Sequence, residues 1–94
     1  MQRTIWKFPL RLIAGPQMIK LPKGACVRQS GIDPATGGPA IWAECFVPDN
    51  GQPDQADREF YIFGTGDKGI DPALCYHATI FDRQFVWHIF ERII

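Results

Sequence analysis

The chain has 94 residues, of which 46% are hydrophobic and 13% aromatic, and ten basic and ten acidic side chains give it zero formal net charge. This length fits a single domain, residues 1–94, and excludes an enzyme built from separate cofactor and substrate domains. A net charge of zero argues against a protein that binds extended nucleic acid by neutralising its phosphates.

Short runs of β-branched and aromatic residues, separated by Gly, Pro, Asp and Asn, predict strands and no long helix. In chain order the seven predicted strands are residues 4–10, 17–21, 25–30, 40–47, 58–63, 76–81 and 84–91. One helical turn is predicted at residues 71–74, because Asp suits an N-cap and Pro the first helical position. We therefore predict an all-β fold: a compact antiparallel β-sandwich or partly open barrel of six to seven short strands.

The fourth predicted strand alternates between an apolar side and a mixed side. The apolar side, which we expect in the core, holds Ile41, Ala43, Cys45 and Val47. On the other side Trp42 and Phe46 flank Glu44, and we expect these two aromatic rings to be exposed.

The last two strands predict a hairpin whose two-residue loop is Asp82-Arg83. In that register His77 lies directly across from His88, and one face of the hairpin is apolar throughout. The side chains of that face are Tyr76, Ala78, Ile80, Phe85, Trp87 and Ile89. Two facing imidazoles could hold a metal ion, but the spacing demands no third ligand, so no metal site is predicted.

The cysteine spacing and the N-terminal residues indicate the cellular compartment. The three cysteines form no C-x-x-C pair, and we expect them to be buried, reduced thiols in strands. Lys7, Pro9 and Arg11 interrupt the apolar residues near the N-terminus, so these do not form the continuous apolar stretch that a signal peptide needs. No segment approaches the roughly 18 consecutive apolar residues of a membrane span. We therefore expect a cytoplasmic protein with no membrane partner.

A glycine-rich loop follows the fifth predicted strand. Its glycines let a ligand approach the backbone, its free N–H groups can cradle a phosphate, and Lys68 adds a positive charge. Residues 64–69 match G-x-G-x-x-G, but no helix or parallel βαβ unit follows, which argues against a dinucleotide-binding fold. Turn geometry alone is the alternative explanation of these glycines.

Aromatic and arginine side chains together could stack a base and hold its phosphate. The aromatic candidates are Trp6, Trp42, Phe46, Tyr61 and Phe63, and the cationic ones are Arg28, Arg58 and Arg92. The alternative places these rings in the core or in an oligomer interface. The predicted ligand-binding residues are Phe63, Gly64, Thr65, Gly66, Asp67, Lys68, Arg58 and Trp42. We find no nucleophile motif and predict neither catalysis nor a cofactor.

Several motifs in order resemble a family of short, uncharacterised proteins that recur in tailed-phage and prophage genomes. They occupy residues 4–10, 18–25, 42–43, 58–66 and 85–91, and the most specific are Ile-Phe-Gly-Thr-Gly at 62–66 and His-x-Phe-Glu at 88–91. The resemblance implies a small cytoplasmic accessory protein made during infection or from a prophage. Such proteins often block a host protein or sequester the nucleotide signals of antiviral defence.

We therefore expect a non-enzymatic accessory protein that binds a small phosphorylated, nucleotide-type ligand at the glycine-rich loop. Apolar surface beyond what one small domain can bury predicts a homo-oligomer. The alternative is a protein–protein interaction module that inhibits a host defence protein or serves in virion assembly. A metal-dependent hydrolase that uses His77 and His88 is a third hypothesis.

Overall fold

The computed structural model describes residues 1–93, which form seven strands and no helix. The strands are β1 (Gln2–Pro9), β2 (Gln17–Pro22), β3 (Cys26–Ile32), β4 (Pro39–Val47), β5 (Gln55–Gly64), β6 (Leu74–Asp82) and β7 (Phe85–Arg92). Each overlaps one predicted strand, so the all-β prediction is confirmed. The helical turn predicted at residues 71–74 is not formed: this segment is a β-turn, in which the Leu74 amide donates to the Asp71 carbonyl over 3.0 Å.

The strands form two antiparallel sheets. One has the order β1-β4-β3 and the other the order β2-β5-β7-β6, so β4 is central in the first and β5 and β7 are central in the second. The sheets pack as a sandwich measuring 45 × 31 × 17 Å and do not close into a barrel. The β-sandwich prediction is therefore confirmed, and each sheet has one inner and one outer face.

The core lies between the two sheets. Its buried apolar side chains are Leu10, Leu21, Ala25, Ile41, Ala43, Cys45, Phe60, Ile62, Ile80 and Ile89. The predicted apolar side of β4 faces inward, since Ile41, Ala43 and Cys45 are completely buried and Val47 packs against them. The predicted burial of the other two cysteines is wrong, since Cys26 and Cys75 are exposed thiols. Of the two rings on the opposite side of β4, only Phe46 is exposed, while Trp42 is half-buried.

The β6–β7 hairpin has a different register from the expected one. Its loop consists of residues 83–84 instead of 82–83, and each cross-strand pair is displaced accordingly. His88 lies opposite Thr79, so the predicted pairing of His77 with His88 is wrong. Over residues 78–89 both registers keep the same side chains on each face, and strand alternation therefore cannot distinguish them there.

The predicted apolar face of this hairpin is buried only at its centre. Ile80 and Ile89 are buried, whereas Tyr76 and Phe85 are more than half exposed. A β-bulge between Tyr76 and Ala78 turns the Tyr76 ring toward the outer face, where it meets Phe90 edge-on.

Arg83 carries the strain of this loop. Among residues 1–93 it is the one non-glycine residue with a positive φ, at 56°. Arg83→Gly removes the clash of a Cβ in the left-handed region, and we expect it to raise the free energy of unfolding by about 0.5–1 kcal/mol. Arg83→Ala is the control, because it also removes the side chain but keeps the Cβ. Urea denaturation of the three proteins is the measurement, and a glycine variant no more stable than the alanine variant contradicts the prediction.

Candidate functional site

The glycine-rich loop closes on itself. The Asp67 amide donates to the Gly64 carbonyl over 3.1 Å, and the Gly64 amide donates to Asp67 Oδ2 over 2.8 Å. Gly66 and Gly69 have φ angles of 92° and 77°, which residues other than glycine rarely adopt. A carboxylate therefore occupies the amide that a phosphate cradle would use at Gly64, and its charge opposes an anion there.

The same loop lines two neighbouring cavities at the end of β5. One has a volume of about 220 Å³ and the other about 430 Å³, and both contact Gly64 and Trp87. The first is otherwise lined by Leu12, Ile13, Ala14, Ile62 and Asp67, and the second by Thr65, Gln84, Phe85 and Val86. We call the two cavities together the Trp87 groove.

Two aromatic rings give this groove its apolar wall. Phe85 stacks on Trp87 with 5.8 Å between ring centroids and an interplanar angle of 15°, and Phe85 is 51% exposed. A Cβ at Gly64 would lie 3.6 Å from Cζ3 of Trp87, so the glycine keeps this wall open. The Trp87 indole nitrogen is buried and has no hydrogen-bond partner within residues 1–93, so packing alone holds the ring. The groove suits a planar apolar ring that carries an N–H group able to donate a hydrogen bond to the Asp67 carboxylate.

The other predicted ligand-binding residues are dispersed. Phe63 lies on the outer face of the four-stranded sheet, stacked with Tyr61 at 6.0 Å and edge-on to Phe90 at 5.4 Å. Gly66 and Lys68 are exposed in the loop. The structure thus brings Gly64, Thr65 and Asp67 together at the groove, while Arg58 and Trp42 lie elsewhere.

Arg58 belongs to a buried ionic cluster inside the sandwich. It donates to both carboxylate oxygens of Glu91, over 2.5 and 2.8 Å, and to the Ala25 carbonyl over 2.6 Å. His77 lies 2.6 Å from the same carboxylate. Burial raises the pKa of Glu91, but hydrogen bonds from Arg58 and His77 outweigh it and hold that pKa below its usual value. Arg58 therefore uses its N–H donors for contacts within the protein.

His88 belongs to a chain of hydroxyl groups on the outer face of the four-stranded sheet. Its Nδ1 lies 3.0 Å from the Thr79 hydroxyl and its Nε2 lies 2.9 Å from the Thr65 hydroxyl. Tyr76 extends the chain, with its hydroxyl 2.7 Å from that of Thr79. Within residues 1–93, no three His, Cys, Asp or Glu side chains are grouped to hold a metal ion.

Trp42 lies on the outer face of the three-stranded sheet beside a second ionic cluster. Arg3 from β1 and Arg28 from β3 both donate to the carboxylate of Glu44 on the central strand β4. Arg28 and Trp42 are among the candidates predicted from the sequence, whereas Arg3 is not. The signal that identifies Arg3 is the strand order β1-β4-β3, which alternation within each strand does not contain.

Comparisons with known proteins give a family and no function. A family model described as Domain of unknown function (DUF7352) matches residues 1–93. No curated protein and no solved structure matches the chain. In the described part of the chain, no helix is long and apolar enough to cross a membrane.

The buried Glu91 cluster is a stability determinant. Glu91→Gln removes the charge that compensates Arg58, and we expect the free energy of unfolding at neutral pH to fall by about 3 kcal/mol. The control Asp57→Asn removes the partner of Lys20 in an exposed pair on the outer face and is expected to cost less than about 1 kcal/mol.

The pH dependence of this difference carries a definite sign. Because the folded-state pKa of Glu91 is lowered, its charge stabilises the fold above the usual carboxyl pKa, and that contribution disappears as the pH falls through the lowered value. Chemical denaturation at a series of pH values should show the gap between wild type and Glu91→Gln narrowing in acid. A gap that stays constant with pH contradicts the assignment.

Proposed function

The chain belongs to the DUF7352 family of domains of unknown function, and we propose that it is a non-enzymatic protein that binds a small nucleotide-type ligand in the Trp87 groove. The observation that carries the proposal is the groove itself, in which a stacked aromatic pair faces a cavity of about 430 Å³ beside Gly64. Small-ligand sites are concave, mostly apolar and about 300–1,000 Å³ in volume, with a few polar groups.

The groove residues divide the recognition of such a ligand between them. The base packs on Phe85 and Trp87, and Asp67 accepts a hydrogen bond from an amino or ring N–H group of the base. The phosphate lies away from Asp67, whose charge repels it, and Lys68 is the cation of the loop that can follow it outward.

The biological setting is part of the same proposal. The motifs at residues 62–66 and 88–91 resemble proteins of tailed phages and prophages, and we propose that this chain is a phage accessory protein. In the cytoplasm of an infected host it would sequester a nucleotide signal of antiviral defence. A stoichiometric binder suits this task, because sequestration requires affinity and no chemistry.

A protein–protein role is the second candidate, and a particular face supports it. The outer face of the four-stranded sheet exposes large apolar side chains, with Phe81 76% exposed and Met18 and Tyr76 more than half exposed. Exposed apolar patches of this kind mark surfaces that associate. A homo-oligomer, a host defence protein or a virion component could cover this face.

Ligand binding is tested by thermal unfolding with a panel of cyclic and ADP-ribose-type nucleotides. We expect at least one to raise the Tm of the wild type by about 10 °C or more, since a ligand at 100 times its Kd adds about 2.7 kcal/mol and each kcal/mol shifts the Tm of a domain of this size by about 4–8 °C. Gly64→Val fills the groove and Phe85→Ala removes the exposed half of the aromatic pair, and both should abolish the rise.

The matched control is Gly38→Val, which adds the same side chain at a glycine of the β3–β4 connection and should leave the rise intact. Circular dichroism verifies that each variant is folded. A wild type whose Tm responds to no member of the panel contradicts the nucleotide proposal.

The association face is tested by light scattering across protein concentrations. We expect an oligomer that Phe81→Asp converts to monomer, because a charge replaces the 76% exposed ring on the edge strand β6. Phe46→Asp, a similar change on the opposite face of the sandwich, is the control and should not alter the mass. A wild type that is monomeric at all concentrations contradicts self-association through this face.

A further inference from the structure

The carboxylate of Glu44 is buried although it lies on an outer face. Its residue is 6% exposed, because the guanidinium groups of Arg3 and Arg28 cover it from both neighbouring strands. Arg28 donates to Glu44 Oε1 over 2.7 and 2.8 Å, and Arg3 donates to Oε2. One carboxylate thus holds two arginines close together over the centre of the sheet.

This cluster carries an uncompensated positive charge. Two guanidinium groups share one carboxylate, and the neighbouring Lys7 is already paired with Asp33 over 2.7 Å. The side chains of Arg3 and Arg28 are 70% and 54% exposed, so each presents N–H donors that Glu44 does not use. A single additional negative charge would neutralise the cluster, and arginine is the side chain best suited to bind phosphate oxygens.

Aromatic rings stand on both sides of the cluster along β4. Trp42 and Phe46 point to the same face as Glu44, each two residues away, at about 7 Å along the strand. Phe46 is half exposed. Trp42 is half-buried, and its neighbour Gly31 on β3 has no side chain to cover the ring: a Cβ at Gly31 would lie 4.0 Å from Cζ3 of Trp42. The order along the strand is therefore ring, anion-binding pair, ring.

We propose that this face binds a phosphodiester whose two flanking bases are splayed apart, with the phosphate on Arg3 and Arg28 and the bases on Trp42 and Phe46. A phosphodiester carries the one negative charge that the cluster lacks, and the rings lie on both sides of it. The occupant is a dinucleotide, because the row contains two rings and the chain as a whole has no net positive charge to follow a longer strand. This site is independent of the Trp87 groove, with which it shares no residue.

Calorimetric titration of the full chain with the linear dinucleotide ApA tests the proposal. We expect ApA to bind at least tenfold more tightly than adenosine or dimethyl phosphate, which are its separate parts. Arg28→Lys keeps the charge but loses the paired N–H donors, and Phe46→Leu keeps the apolar surface but loses the ring. Each should weaken ApA binding by about tenfold, and Phe46→Leu should leave the weaker binding of dimethyl phosphate unchanged.

Two controls separate this site from the rest of the molecule. Lys20→Gln removes an exposed cation on the opposite face and should not change ApA binding. Gly64→Val blocks the Trp87 groove and should also leave ApA binding unchanged. The two proposed sites can therefore be confirmed or contradicted independently. The proposal is overturned by equal binding of adenosine and ApA, by equal effects of Arg28→Lys and Lys20→Gln, or by loss of ApA binding in Gly64→Val.

Discussion

The single apolar interior shared by the two sheets is the constraint on which the remaining structure depends. Along β4, Ile41, Ala43 and Cys45 are completely buried, and this alternation forces Trp42 and Glu44 to the opposite side. Residues 1–93 form two layers, and no third layer among them covers that side. Its outer faces therefore carry the aromatic and charged side chains that the core cannot use.

The ionic side chains that enter this interior compensate one another. Glu91 on β7 lies in the core because Arg58 and His77 supply its hydrogen bonds, and Arg58 also reaches the Ala25 carbonyl before β3. The bulge before Ala78 accompanies the inward turn of His77. On the outer face of the other sheet, two arginines and Glu44 use the same chemistry, but there the cations remain accessible to solvent.

Much of the fold could be predicted from the sequence, because strand periodicity and turn residues are local signals. The positions of all seven strands and the inward side of β4 followed from them. The β6–β7 register did not, since its loop places an arginine at a positive φ where a glycine would have marked the turn. The partners of Glu44, Glu91 and His88 depend on strand order and bulges, which alternation within one strand does not encode.

The side chains suited to hold a phosphate and those suited to stack on a base do not meet at the glycine-rich loop. Asp67 closes the glycine-rich loop against an anion, while aromatic rings line the Trp87 groove and arginines flank the rings of β4. NMR of the three indole N–H groups during nucleotide titration tests whether the protein binds a nucleotide-type ligand. We expect saturable shifts of the Trp87 or Trp42 signal, while the signal of Trp6, which lines neither the Trp87 groove nor the Glu44 cluster, stays fixed. Unchanged signals from Trp42 and Trp87 at millimolar nucleotide would contradict nucleotide binding.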